Sequence, residues 1–248
     1  MSLLIRIIFG AIAVAVIAVI AYLVVDHGRF LKTIYLIARI SPFEQAGTGA
    51  GSVLVIGDST GYGTGATNKR ATIAGRIGTD FTDYKITNWS VNGDTFADAT
   101  KRVREQLLVE YDLILLQLGG NDILQKRSVV EIEKDARTLF ELLDGHTDHI
   151  VLISSGNVGA APAFSGEEAQ MYTELTRDYH ERMEQLAATH EQLTYVNLYQ
   201  PPAEDPFSKQ PDRYMAWDGL HPSDEGYGLW YASLAPVIKK HLTKNPST

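Results

Sequence analysis

Five short runs of β-branched and apolar residues, Ser52 to Ile56, Tyr84 to Trp89, Leu113 to Leu118, Ile150 to Ser154 and Thr194 to Leu198, are separated by stretches of helical periodicity. Each run is too short for a stable helix. The alternation therefore predicts about five parallel strands joined by crossover helices, an α/β domain over residues 51–248. Ser128 and Glu131 form a capping box ahead of Ile132, Ala136, Leu139, Phe140 and Leu143 on one helical face. Ser165 and Glu168 repeat the box before a stripe of Leu175, Tyr179, Met183 and Leu186. A last helix starts after Pro222-Ser223 and offers Tyr227, Trp230, Tyr231 and Leu234 to the core.

In an open parallel sheet, ligands bind beyond the carboxyl ends of the strands, so the segment after each run carries the chemistry. Gly57-Asp58-Ser59 follows the first, Asn92-Gly93-Asp94 the second and Gly119-Gly120-Asn121-Asp122 the third. Asp218-Gly219-Leu220-His221-Pro222 precedes the last helix. Such a sheet gathers these loops at one rim. Ser59 needs a base to take its proton, and the imidazole of His221 suits that task near neutrality. Asp218, three residues earlier, can accept the Nδ1 proton and fix the tautomer. The N–H groups of Ser59 and Gly93 and the side-chain amide of Asn121 are candidate donors to an oxyanion.

These loops resemble, in order, the four sequence blocks of the GDSL, or SGNH, hydrolase family, and the resemblance spans roughly residues 52–235. It is closest to the bacterial arylesterases, thioesterases and lysophospholipases. The resemblance implies a three-layer, flavodoxin-like sheet, Ser59 as nucleophile, Gly93 and Asn121 with Ser59 in the oxyanion hole, and Asp218 with His221 completing a triad. Two departures stand out: Thr60 replaces the Leu of the name motif, and a glycine-rich stretch from Thr60 to Gly65 follows.

Other readings of these residues are weaker. Gly61, Gly63 and Ala66 satisfy the G-x-G-x-x-A dinucleotide pattern, but the first glycine comes four residues after Gly57 and no acid follows the second strand to hold a ribose. His146 and His149 close a helix beside Gly145, where imidazoles suit the C-terminal dipole, so no metal site is expected there. The chain contains no cysteine, which excludes disulfides, thiolate metal sites and a cysteine nucleophile. No cofactor is called for.

The first forty residues differ in character. Residues 7–25 run nineteen positions without a charge, close to the roughly 20 that cross a hydrocarbon core. They predict a transmembrane anchor over residues 1–28, with a cleaved signal peptide ending near Ala21 as the rival. Residues 29–50 read as an interfacial helix and linker, with Phe30, Leu31, Ile34 and Ile37 near one side and Gln45 to Gly51 flexible. A helix simply docked on the domain is the alternative. Arg29, Lys32 and Arg39 oppose an external domain by charge count, but an anchor directly before a hydrolase-like domain commonly serves export, so an extracytoplasmic, periplasmic placement is expected. The formal charge of −8 divides into +3 for residues 1–40 and −11 for the rest. The acidic body excludes nucleic acid as a partner.

Two loops, Gly156 to Ser165 and Tyr199 to Trp217, are expected to shape the substrate pocket, with Phe207, Tyr214 and Trp217 as binding residues. The combined expectation is a membrane-anchored serine esterase acting on acyl or aryl esters, thioesters or lysophospholipids. The alternatives are a carbohydrate or cell-wall O-acetylesterase on the same triad, and a non-catalytic envelope binding protein.

Overall fold

Every residue of the strand Leu113–Gln117 is buried, and alternate side chains go to opposite faces of the sheet. Leu54, Ile56, Ile114 and Leu116 enter one core, while Val53, Val55, Leu113 and Leu115 enter the other. That split follows from the period of two along a strand, and it makes the fold three layers deep. The computed structural model describes residues 3–106 and 109–243; within the first helix, the side chains of residues 3, 4, 6–8, 10, 11, 15, 20–27 and 29 fall outside the description.

In chain order the elements are α1 (Leu3–Arg39), β1 (Gly51–Gly57), α2 (Ser59–Tyr62), α3 (Ile73–Asp80), β2 (Tyr84–Asn88), α4 (Phe96–Arg104), β3 (Leu113–Gln117), α5 (Gly120–Leu124), α6 (Val129–Leu143), β4 (Ile150–Ile153), α7 (Gly166–Ala187), β5 (Leu193–Val196), α8 (Pro206–Lys209), α9 (Pro211–Tyr214) and α10 (Asp224–Leu242). The five strands are all parallel, in the order β2-β1-β3-β4-β5. The five sequence runs thus form the five strands, each within a residue or two of the expected ends. The chain passes from β1 to β2 on one side and returns to β3 on the other, so a topological switch point lies between β1 and β3. Helices α4, α6 and α7 cover one face, and α3 and α10 the other.

The box at Ser128 and Glu131 forms as expected, and Thr95 with Asp98 makes another at the start of α4. The expected box at Ser165 does not form: Ser165 is the N-cap of α7, but its side chain makes no capping bond. The expected flexible linker is also corrected. Gln45 exchanges backbone hydrogen bonds with Ile86, and its side-chain amide donates to the carbonyls of Phe81, Thr82 and Tyr84. Those bonds pin the segment to the edge beside β2.

The boundary expected at residues 28 and 29 falls inside α1, which is one unbroken helix. Among the described residues no helix is long and apolar enough to cross a membrane; in the run at 7–25, from which a span was expected, more than half of the side chains lie outside them. The expected single apolar side of residues 29–41 is divided. Phe30, Leu31 and Ile34 are exposed, whereas Ile37 turns inward and Ile40 is buried against the domain.

Candidate active site

Ser59 is the first residue of α2, directly after β1, and the switch point places its hydroxyl at the carboxyl rim of the sheet. Asp58 is the N-cap of α2. Its Oδ1 accepts from the N–H and the hydroxyl of Thr60, both at 2.8 Å. The departure from Leu at position 60 thus supplies Asp58 with a second donor. Burial pushes the Asp58 carboxyl up to about 6, with the Thr60 bonds and the nearby His221 opposing that rise.

His221 and Asp218 share the loop before α10. Asp218 Oδ1 accepts from the backbone N–H groups of Leu220 and His221, at 3.0 and 3.1 Å, and Oδ2 lies 2.7 Å from His221 Nδ1. Burial pushes the Asp218 carboxyl upward, but the His221 hydrogen bond and charge and the two backbone donors outweigh it and bring the group down to about 2. An ionised carboxylate can only accept, so Nδ1 carries the imidazole proton and Nε2 presents its lone pair. Nε2 stands 3.0 Å from Ser59 Oγ, as an acceptor for the serine hydroxyl. Asp224, a carboxylate close by in sequence, faces elsewhere and accepts from the N–H and hydroxyl of Thr67.

Gly93 and Asn121 lie on the same rim and line the same cavity as Ser59 and His221. Gly93 has φ +90° with open space where a Cβ would stand, so its backbone can approach a ligand closely. The Asn121 amide donates to the carbonyl of Asp94 at 3.1 Å, which fixes its orientation, and lies 3.5 Å from Asp58 Oδ2. Asp122 is structural. It accepts from the N–H of Phe96 and pairs with Arg127, which also reaches Asp135. Burial pushes the Asp122 carboxyl up to about 6 even so.

The cavity holds about 310 Å³, in the range of small-molecule sites. Beyond the polar rim it is apolar, with Leu124, Val158, Phe207, Met215 and Trp230 among its walls. Both expected loops contribute, through Gly156, Asn157, Val158 and Ala161 of the first and Asp205, Phe207 and Met215 of the second. Of the three aromatics expected to bind substrate, only Phe207 lines the cavity. Tyr214 packs on Phe207 from outside, and Trp217 turns edge-on to Tyr35 of α1 with Lys32 over its ring. Contact with α1 outcompetes the cavity for that exposed indole.

Trp230 lies in the core as expected, but sequence reasoning missed that it also lines the cavity, and it missed Thr33 and Ile37, which α1 brings to the cavity wall. No sequence spacing connects a helix at the start of the chain to a loop near its end. The dinucleotide-like glycines are packing positions. A Cβ on Gly61 would meet the Ser90 hydroxyl at 2.4 Å, and one on Gly65 the carbonyl of Pro222 at 2.4 Å. His149 lies against His241 with ring centroids 4.0 Å apart.

Comparison with known proteins adds four findings. The model of the GDSL-like Lipase/Acylhydrolase family matches residues 55–229. The chain is 29% identical over 94 residues to the esterase TesA of Pseudomonas aeruginosa, a stretch that is 36% of this chain and 47% of that protein, so it spans about half the length of this curated relative. The crystal structure of a lipolytic G-D-S-L family member from Veillonella parvula superimposes with a TM-score of 0.61 at 17% identity, covering 76% of this chain and 98% of the other. An acetylxylan esterase from Geobacillus stearothermophilus gives a TM-score of 0.52 at 18% identity, over 79% and 95% of the two chains. At these identities the two structures attest the fold.

Proposed function

We infer that this chain, which belongs to the GDSL-like Lipase/Acylhydrolase family, hydrolyses acyl or aryl esters through an acyl-enzyme on Ser59 while tethered to a membrane by α1. Thioesters and lysophospholipids fall within the same class. The observation that carries this reading is the chain of contacts from Ser59 Oγ to His221 Nε2 and from Nδ1 to Asp218 Oδ2, opening onto an apolar cavity.

Each step uses groups already in place. Nε2 takes the Ser59 proton as Oγ attacks the acyl carbonyl. The Asp218 carboxylate balances the charge that the imidazole gains. The carbonyl oxygen becomes an oxyanion, met by the N–H groups of Ser59 and Gly93 and by the Asn121 amide. When the tetrahedral centre collapses, the bond to the leaving oxygen breaks and His221 returns the proton to it. Water then repeats the sequence on the Ser59 ester, releasing the acid and restoring the hydroxyl.

The apolar cavity favours esters of larger acyl or aryl groups over acetylated sugars, the substrates of the carbohydrate O-acetylesterase alternative. Rates across p-nitrophenyl esters of two to twelve carbons, set beside acetylated glycans, test the choice. A rate that rises with chain length is expected; activity confined to acetyl groups on glycans would reverse it. Failure of the wild-type chain to take up a fluorophosphonate would leave a non-catalytic binding protein.

The membrane reading rests on α1. Phe9, Ile12, Val14, Val16, Ile17 and Val19 are each at least half exposed, and at 100° per residue they spread over about 220° of the helix circumference. No docking face on the protein covers such a distribution, whereas lipid does. Nineteen helical residues extend about 28 Å, close to the hydrocarbon thickness. Further along the helix, Lys32 and Arg39 sit over the rings of Trp217 and Tyr35, a pairing of bases and aromatics suited to the membrane surface. An anchor directly before a hydrolase-like domain commonly serves export, and Lys32 and Arg39 held at the headgroups drop out of the charge count, which supports a catalytic domain outside the cytoplasm. Membrane fractionation and a C-terminal alkaline phosphatase fusion test both points. A soluble chain, or a stable fusion without phosphatase activity, would reverse them; a mature protein starting at Tyr22 would mean that the helix is a cleaved signal.

A further inference from the structure

Asp218 receives one hydrogen bond that its own loop does not supply. The hydroxyl of Thr33, on α1, donates to Asp218 Oδ2 at 3.0 Å across 185 residues of sequence. The same oxygen accepts from His221 Nδ1. Asp218 is only 3% exposed, so with the two backbone donors on Oδ1 its carboxylate is surrounded by four donors. One turn further along α1, Ile37 lines the cavity wall beside Thr33. Tyr35 and Lys32 grip Trp217, the residue immediately before Asp218. Two consecutive residues of the triad loop are therefore held by one helix.

We propose that Thr33 is a positioning residue for the triad, so that α1 completes the active site rather than merely tethering it. This rests on the assignment of Ser59, His221 and Asp218 as the catalytic groups. The physical argument concerns the shared oxygen. A carboxylate anchored only through Oδ1 can swing Oδ2 about that anchor, and a second donor on Oδ2 removes the freedom. The Thr33 bond also draws charge from Oδ2, moderating its pull on the imidazole proton. The apolar outer face of the same segment, Phe30, Leu31 and Ile34, is exposed, so the helix that orders Asp218 also borders the lipid surface assigned to α1.

The test uses the full chain in nanodiscs, comparing wild type with Thr33→Val and Thr33→Ser. Valine keeps the volume and removes the donor; serine keeps the donor. For Thr33→Val, kcat on a p-nitrophenyl ester is expected to fall about ten-fold with KM within about two-fold, the pattern of an interaction felt in the transition state. The acid limb of its pH–rate profile should move to higher pH, because an unshared Oδ2 holds the imidazolium more tightly. Thr33→Ser should recover most of kcat and the wild-type profile. The low-field proton resonance of His221 Nδ1–H provides a readout independent of turnover, and it should move in Thr33→Val alone. Wild-type kinetics and resonance in Thr33→Val, or equal losses in the valine and serine variants, would overturn the proposal. An inactive, unlabelled wild type would instead overturn the esterase reading, and the resonance would still decide whether Thr33 acts on Asp218.

Discussion

Gly65 lies so close to Pro222 that a Cβ added to it would stand 2.4 Å from the Pro222 carbonyl oxygen and 2.9 Å from the Cβ of His221. Its φ is +98°, a conformation that L side chains rarely adopt. The glycine-rich departure after Ser59 thus lets the serine segment press against the backbone that carries the histidine. Gly65→Ala is expected to move His221 away from Ser59, lowering kcat at least about ten-fold and stability by about 1–3 kcal/mol. Steady-state kinetics and thermal melting check this, and an unchanged kcat would show that the loop yields without disturbing the pair.

Ser59→Ala should abolish ester hydrolysis and fluorophosphonate labelling with circular dichroism unchanged, since the hydroxyl is the only group removed and its partner among the described residues is the His221 ring. More than trace turnover in the purified variant would sink the nucleophile assignment.

Asn121→Ala should lower kcat by about 10² to 10³ with a smaller change in KM, because the amide acts on charge that exists mainly in the transition state. The loss includes the bond that Asn121 gives to the Asp94 carbonyl. A change in KM alone would make Asn121 a substrate-binding residue.

Asp218→Asn can keep the two backbone bonds to its Oδ1, but its amide then faces His221 Nδ1 and selects the tautomer with the proton on Nε2. A fall in kcat of about 10⁴ is expected. A near-normal rate would require another carboxylate to orient the imidazole.

Asp58 titrates at about 6 in the folded protein against 3.8 for the free group, because burial disfavours its charge. Between those values the folded state binds more protons than the unfolded one, so this group's contribution to stability is full below about 3.8 and is lost as pH rises through about 6. Asp122 acts in the same direction over the same window, whereas Asp218, lowered to about 2, acts only at more acid pH. Asp58→Asn keeps an acceptor for Thr60 and removes the titration. Its melting temperature should vary less between pH 4 and 6 than that of the wild type. An identical slope measured by calorimetry would mean that Asp58 is ionised throughout.

The sequence by itself determined the parts whose causes are local. Hydrophobic runs of strand length marked β1 to β5, because within a few residues the central strands must bury both faces and the edge strands β2 and β5 at least one. The blocks at Ser59, Gly93, Asn121 and Asp218 to His221 were legible because a parallel sheet gathers the ends of its strands at one rim. The three-residue spacing of Asp218 and His221 already let one loop hold both. Tertiary structure decided whatever depends on which distant surfaces meet. Ser165 carried the letters of a capping box without making the bond, and Gln45 looked like linker until it met the edge beside β2. Trp217 looked like a pocket aromatic, but α1 offered it Tyr35 and Lys32 instead. Above all, the bond from Thr33 to Asp218 joins residues 185 positions apart, and such a contact leaves no periodicity or spacing in the chain because it exists only once the helix has docked.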